Sequence, residues 1–122
     1  MAKSLLAEDE KQIGDMVAFK LTNSGHEVVR ARDGEEALAL AAAQRPDLII
    51  LDVMMPALNG FEVLRRLKAD PALAPTPVIM LTAKGRERDV LTGLAAGAAD
   101  YVVKPFSLKE LTARIDAALR KG

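Results

Sequence analysis

Asp52 ends an unbroken apolar run, Leu48-Ile49-Ile50-Leu51, and stands just ahead of Met54-Met55-Pro56. An apolar run of that length reads as a strand buried on both faces of a parallel sheet. Its carboxylate then lies at the carboxyl end of the sheet, where open α/β sheets bind ligands. Three more strand-like stretches end in chemistry-bearing residues: Ser4-Leu5-Leu6-Ala7 in Glu8-Asp9-Glu10, Val78-Ile79-Met80-Leu81 in Thr82, and Tyr101-Val102-Val103 in Lys104-Pro105. Alone, each is bland: a strand-end Asp caps a helix, an acidic triplet is a solvated loop, and a lysine is a surface charge. Collected on one rim, the acids, the hydroxyl and the ammonium suit a hard cation and a phosphoryl group. Two carboxylates about 4 Å apart repel by ~4 kcal/mol at an effective dielectric of about 20. Oxygen-only ligands suit Mg²⁺ or Mn²⁺, which would relieve that repulsion. Asp52, Asp9 and a backbone carbonyl in the loop after Asp52 are the candidate ligands, with Glu8 acting through water. Glu10 reads as the start of the first helix, where its charge suits the dipole. An Asp52 oxygen is then left to attack phosphorus. Transfer needs in-line positioning and neutralisation of the equatorial oxygens, one each by Lys104, Thr82 and the cation.

The elements that must position these residues are legible between the strands. Ile13, Met16, Val17 and Leu21 recur at helical spacing and stop at Gly25. Asp33-Gly34-Glu35-Glu36 opens a second helix in capping-box fashion and runs to Gln44. Asn59-Gly60-Phe61-Glu62 opens a third, with Val63, Leu64 and Leu67 inward. A fourth presents Val90, Leu91 and Leu94 and ends at Gly97, and a fifth starts at Ser107 with Leu108, Leu111, Ile115 and Leu119 on one face. Glu27-Val28-Val29-Arg30 is the least apolar strand and reads as an edge. Five β-α units imply one flavodoxin-like (βα)5 sandwich over residues 1–122: a five-stranded parallel sheet with helices on both faces. Placing the polar strand outside the first gives the order 2-1-3-4-5, in which Asp9 and Asp52 meet at the switch point.

Bulk composition closes off other classes. The chain has 122 residues, half of them apolar, with three Phe and one Tyr, so the core must be aliphatic and Ala-rich. Seventeen basic and seventeen acidic residues balance, which argues against a broad nucleic-acid footprint. There is no Cys, hence no disulfide and no thiolate metal site. The apolar stretch at the N-terminus is too short for a signal peptide, and no window approaches the ~18 apolar residues of a membrane helix. The expectation is a soluble cytoplasmic protein with neither membrane nor direct nucleic-acid contacts. His26, the sole histidine, reads as a surface turn residue.

The residues resemble the receiver domain of bacterial two-component response regulators over essentially the whole chain. The resemblance rests on Leu5 to Glu10, Asp33 to Leu38, Pro46 to Pro56, Gly60-Phe61-Glu62, Val78 to Ala83, Gly97 to Tyr101 and Lys104-Pro105-Phe106. It implies that Asp52 is the phosphoacceptor, that Glu8 and Asp9 are the acid pair around Mg²⁺, and that the Met54 carbonyl is the third protein ligand. It also implies that Thr82 and Lys104 sense the phosphoryl group, that Tyr101 is an aromatic switch, and that the Lys104–Pro105 bond is cis. The implied partner is a sensor histidine kinase, with a downstream effector domain or protein absent from residues 1–122. The chain would then be a phosphoacceptor that assists its own phosphorylation and dephosphorylation, not an enzyme. The tail from Phe106 to Ile115 resembles the winged-helix transcription-factor branch, whose receivers pair through the fourth helix, fifth strand and fifth helix. Asp100 and Arg114 are candidates for one contact there. Val90 in place of a basic residue, and Ala99 in place of an acid, point to a monomer that pairs at most weakly on activation.

Two other classes fit less well. An aspartyl phosphatase of the haloacid-dehalogenase type has its nucleophile after the first strand in an Asp-x-Asp pattern, whereas Asp52 is followed by Val53-Met54. A flavodoxin-like flavin binder needs a Ser/Thr/Gly-rich phosphate loop where this chain has Glu8-Asp9-Glu10.

Overall fold

The computed structural model describes residues 2–55, 57–83 and 87–121, so Pro56 of the loop motif after Asp52 lies outside the described residues. Strands and helices alternate: β1 (Lys3–Ala7), α1 (Lys11–Asn23), β2 (Glu27–Ala31), α2 (Gly34–Gln44), β3 (Leu48–Asp52), α3 (Gly60–Ala69), β4 (Val78–Ala83), α4 (Glu87–Ala95), β5 (Asp100–Lys104) and α5 (Leu108–Lys121). The strands form one parallel sheet in the order β2-β1-β3-β4-β5. This is the expected flavodoxin-like topology. Every residue of β3 is buried, whereas in β2 only Ala31 is, the rest being exposed or half-buried, as in an edge strand.

Strand side chains alternate between faces, and this divides the core in two. Leu5, Ile49, Leu51, Val78 and Met80 pack with Ala37 and Ala41 of α2 and Val63, Leu64 and Leu67 of α3. Leu6, Leu48, Ile50, Ile79, Leu81 and Val102 pack with Val17 and Leu21 of α1 and Leu111 and Ile115 of α5. Each fully buried Leu or Ile contributes roughly 1.5–3 kcal/mol relative to exposure. The same parity aims the rim residues. Glu8, Asp52 and Lys104 continue the series of Leu6, Ile50 and Val102 on the α1/α5 face. Thr82 continues Val78 and Met80 on the opposite face, the face that Tyr101 shares.

The helix starts follow the sequence signals. Asp33 Oδ1 accepts the Glu36 N–H at 2.8 Å, Asn59 Oδ1 the Glu62 N–H at 3.0 Å, and Ser107 Oγ the Glu110 N–H at 3.0 Å. Gly25 and Gly97, both with positive φ, follow α1 and α4. Gly60 lets α3 start against the end of β3: a Cβ there would sit 2.3 Å from the Asp52 carbonyl oxygen.

Two expectations need correction. Leu91 and Leu94 of α4 are 69% and 42% exposed rather than inward. Among the described residues, the buried position on that helix is Gly93, where an added Cβ would meet Met80, Phe61 and Ala98. His26 is half-buried rather than a plain surface residue, and its Nδ1 lies 2.9 Å from Oγ of the buried Ser4. The pair gives a hydroxyl inside the sheet the partner it would otherwise lack.

Candidate functional site

At the carboxyl end of the sheet, the ammonium of Lys104 is the hub. Its Nζ lies 3.0 Å from Asp52 Oδ2, 3.0 Å from Glu8 Oε2 and 3.3 Å from Glu10 Oε1. Three strands therefore converge: β1 through the segment after it, β3 at its last residue, and β5 at its last residue. The Lys104–Pro105 peptide is cis. Asp52 is 3% exposed, and its other oxygen, Oδ1, accepts the Met54 N–H at 3.1 Å. Both oxygens of this carboxylate thus have a donor, one from the loop that follows it and one from the far strand.

Glu8 is 4% exposed, and its Oε1 accepts the Glu10 N–H at 3.0 Å. Burial pushes its carboxyl up to about 7, and the neighbouring Asp52 carboxylate pushes the same way, against the pull of Lys104. Burial works against the Lys104 charge too, yet its close contacts with the Glu8 and Asp52 carboxyls prevail and hold the ammonium above the usual lysine range. Glu8, Glu10 and Asp52 bring carboxylate oxygens within 4.8 Å of one another. With one ammonium among three acids, the cluster carries an excess of negative charge and only oxygen donors, which fits a hard divalent cation.

The acids after β1 differ in burial, Glu8 being buried and Asp9 and Glu10 exposed. Glu10 is the N-cap residue of α1, as expected, without a side-chain cap hydrogen bond, and its carboxylate also joins the cluster. Asp9 is exposed and lies outside that cluster.

Thr82, next to last in β4, follows Leu81, the register partner of Asp52. It is 2% exposed, and its Oγ1 has no hydrogen-bond partner among the described residues. An unsatisfied buried hydroxyl costs about 1–3 kcal/mol. Between Thr82 and the half-buried Tyr101 lies a gap under α4, lined also by Met80, Gly93, Leu94 and Ala98. Arg114 pairs with Asp100 of its own chain, Nη1 standing 2.9 and 3.0 Å from the two carboxylate oxygens, whereas the sequence reading gave the two residues a contact between copies.

A family model described as the response regulator receiver domain matches residues 5–116. The chain belongs to the response regulator receiver domain family. It is 48% identical over 122 residues to the transcriptional regulatory protein AfsQ1 of Streptomyces coelicolor, covering all of this chain and 53% of that protein. It is 46% identical over 120 residues to the alkaline phosphatase synthesis transcriptional regulatory protein PhoP of Bacillus subtilis, covering 98% of this chain and 49% of that one. The receiver thus spans about half the length of these curated relatives. The chemotaxis response regulator CheY4 of Vibrio cholerae has the same fold, with a TM-score of 0.91 at 38% identity, covering 97% of this chain and 98% of that one. The protein is therefore a two-component signalling module, and neither the phosphatase nor the flavin-binder alternative is supported. No helix among the described residues is long and apolar enough to cross a membrane.

Proposed function

We propose that this receiver accepts a phosphoryl group on Asp52 from the phosphohistidine of a sensor histidine kinase in the cytoplasm, and that the modification alters an output face read by an effector domain or protein. The observation that carries the reading is the convergence of the Asp52 carboxylate, the Lys104 ammonium and the buried Glu8 carboxyl within 3.0 Å contacts, beside a buried hydroxyl without a partner. In the transfer, an Asp52 oxygen forms a bond to phosphorus as the bond from phosphorus to the donor imidazole nitrogen breaks, and the imidazole keeps the electron pair. The Met54 N–H orients the nucleophile. Lys104 moves from the carboxylates to a phosphoryl oxygen, and Thr82 Oγ1 donates to another, which gives the orphaned hydroxyl its partner. Asp52, Asp9 and the Met54 carbonyl are the residues that would hold Mg²⁺ or Mn²⁺, with Glu8 acting through water. When bound there, the ion supplies charge neutralisation for the phosphoryl group. The receiver acts as the substrate of the transfer and assists it, and slow hydrolysis of the aspartyl phosphate resets it.

Incubation with acetyl phosphate is expected to add one phosphoryl mass in Mg²⁺ and none in chelator. Lys104→Ala is expected to keep Mg²⁺ affinity or improve it slightly, because a nearby positive charge is gone, while labelling falls at least tenfold. Loss of Mg²⁺ binding in Lys104→Ala, measured by titration calorimetry, would overturn the division of roles.

The output face we propose is formed by α4, β5 and α5, and Tyr101 is its switch, moving toward Thr82 when that hydroxyl turns to the phosphoryl group. The exposed Leu91 and Leu94 give the face an apolar component. Its ionic component is weak, since Arg114 already holds Asp100 within the chain and exposed ion pairs contribute only ~0.2–1 kcal/mol. The receiver is expected to sediment as a monomer at rest and to pair weakly at most with beryllofluoride bound. A tight activated dimer that Arg114→Glu abolishes would refute this.

A further inference from the structure

Tyr101 lies between two competing environments. On one side is the gap under α4 that leads to Thr82. On the other is the guanidinium of Arg114, whose Cζ is 5.9 Å from the ring centroid, within range of a cation–π contact. The guanidinium is fixed there. Its Nη1 is held by both oxygens of Asp100, and Nη2 lies 3.7 Å from Glu110 Oε2, one turn back along α5. Asp100 Oδ1 also accepts the N–H of Tyr101 itself at 2.8 Å. One carboxylate thus anchors both the backbone of the switch residue and the cation against its ring. Arg114 Nε is buried without a partner among the described residues, so the side chain is held in this pose at the expense of a donor.

We infer that Arg114 is a positioning residue for Tyr101, a latch at the outer edge of β5 that holds the ring in its resting orientation and opposes its entry into the gap toward Thr82. The inference rests on the proposed switch role of Tyr101. A ring that moves deeper into the gap leaves the guanidinium, so the latch acts only on the resting state. Differential contact of this kind shifts the equilibrium between the two ring positions, and by linkage it weakens any ligand of Asp52 that favours the inward one. A cation–π contact at an exposed site corresponds to a shift of about two- to fivefold. The pairing of Arg114 with Asp100 therefore sets the activation threshold within a single chain.

The test uses a feature of this sequence: Tyr101 is its sole tyrosine and there is no tryptophan, so tyrosine emission reports this one ring. Collisional quenching by acrylamide is measured with and without beryllofluoride and Mg²⁺, at a concentration where the protein sediments as a monomer. In the parent, beryllofluoride is expected to lower quenching as the ring moves inward. Arg114→Gln is expected to lower resting quenching toward that value and to tighten the beryllofluoride midpoint about two- to fivefold, with Arg114→Lys, which keeps the cation, in between. Asp100→Asn keeps an acceptor for the Tyr101 N–H but loses the charge that holds Arg114. It is expected to reproduce the effect of Arg114→Gln, and the double variant to add nothing further. A parent that responds while Arg114→Gln and Asp100→Asn leave both readouts unchanged, or raise resting quenching, would overturn the latch alone. A parent whose Tyr101 ignores beryllofluoride, although the ligand still raises the melting temperature, would overturn the switch role and the latch with it.

Discussion

Asp52→Asn is expected to reduce phosphoryl incorporation from acetyl phosphate below detection, the largest single effect of any substitution in this chain. The amide is a poor nucleophile, so the loss is chemical and not a loss of fold. The local structure supports that separation. Asn retains an oxygen that can accept the Met54 N–H, now received by Asp52 Oδ1 at 3.1 Å. Lys104 keeps Glu8 at 3.0 Å and Glu10 at 3.3 Å as counter-charges. One of three crowded acids is removed, so the melting temperature in chelator should hold or rise. Mass spectrometry of the intact protein, alongside a melting curve, separates the outcomes. Undiminished labelling of a folded Asp52→Asn protein would show that another carboxylate is the acceptor, and Glu8 would be the first to examine.

The chemistry was legible at the strand ends because strand order and side-chain parity follow from a few residues. The all-apolar β3 and the polar β2 set the sheet order, and Asp52, Lys104 and Glu8 occupy equivalent parity positions on three strands. The geometry brings those three together as their spacing implied. Three parts were not legible, each for a physical reason. Helical periodicity counts Leu91 and Leu94 as core, but α4 approaches the sheet through Gly93, and a glycine has no hydrophobicity for a periodicity argument to detect. Glu10 was legible as the start of α1, but its further contact with Lys104 was not, because that contact depends on a residue 94 positions away in the chain. Asp100 and Arg114 were recognisable as a complementary pair, but opposite charges within reach on β5 and α5 can pair within a chain as well as between chains.

The buried Glu8 makes both stability and metal affinity depend on pH, and the sign can be worked out. Its folded pKa, about 7, lies above the ordinary value of 4.5, chiefly through burial and then through Asp52. The folded state therefore binds this proton more tightly than the unfolded state does. The resulting stability is complete below pH 4.5 and is lost as pH rises through 7. In chelator, the parent is expected to lose melting temperature relative to Glu8→Gln across that interval, since Gln removes the titration while preserving the shape. A divalent cation reverses the preference because it favours the ionised carboxyl. Mg²⁺ should consequently bind more weakly below pH 7 than above it, with proton uptake by Glu8 as the competing event. At about a hundred times its dissociation constant, Mg²⁺ should stabilise the parent by ~2.7 kcal/mol. For a domain of this size that corresponds to roughly 10 °C in melting temperature. Scanning calorimetry of the parent and Glu8→Gln at pH values on either side of 7, with and without Mg²⁺, checks both halves. Parallel pH profiles for the two proteins in chelator would remove Glu8 as the titrating group, and a melting temperature indifferent to saturating Mg²⁺ would argue against a cation at this cluster.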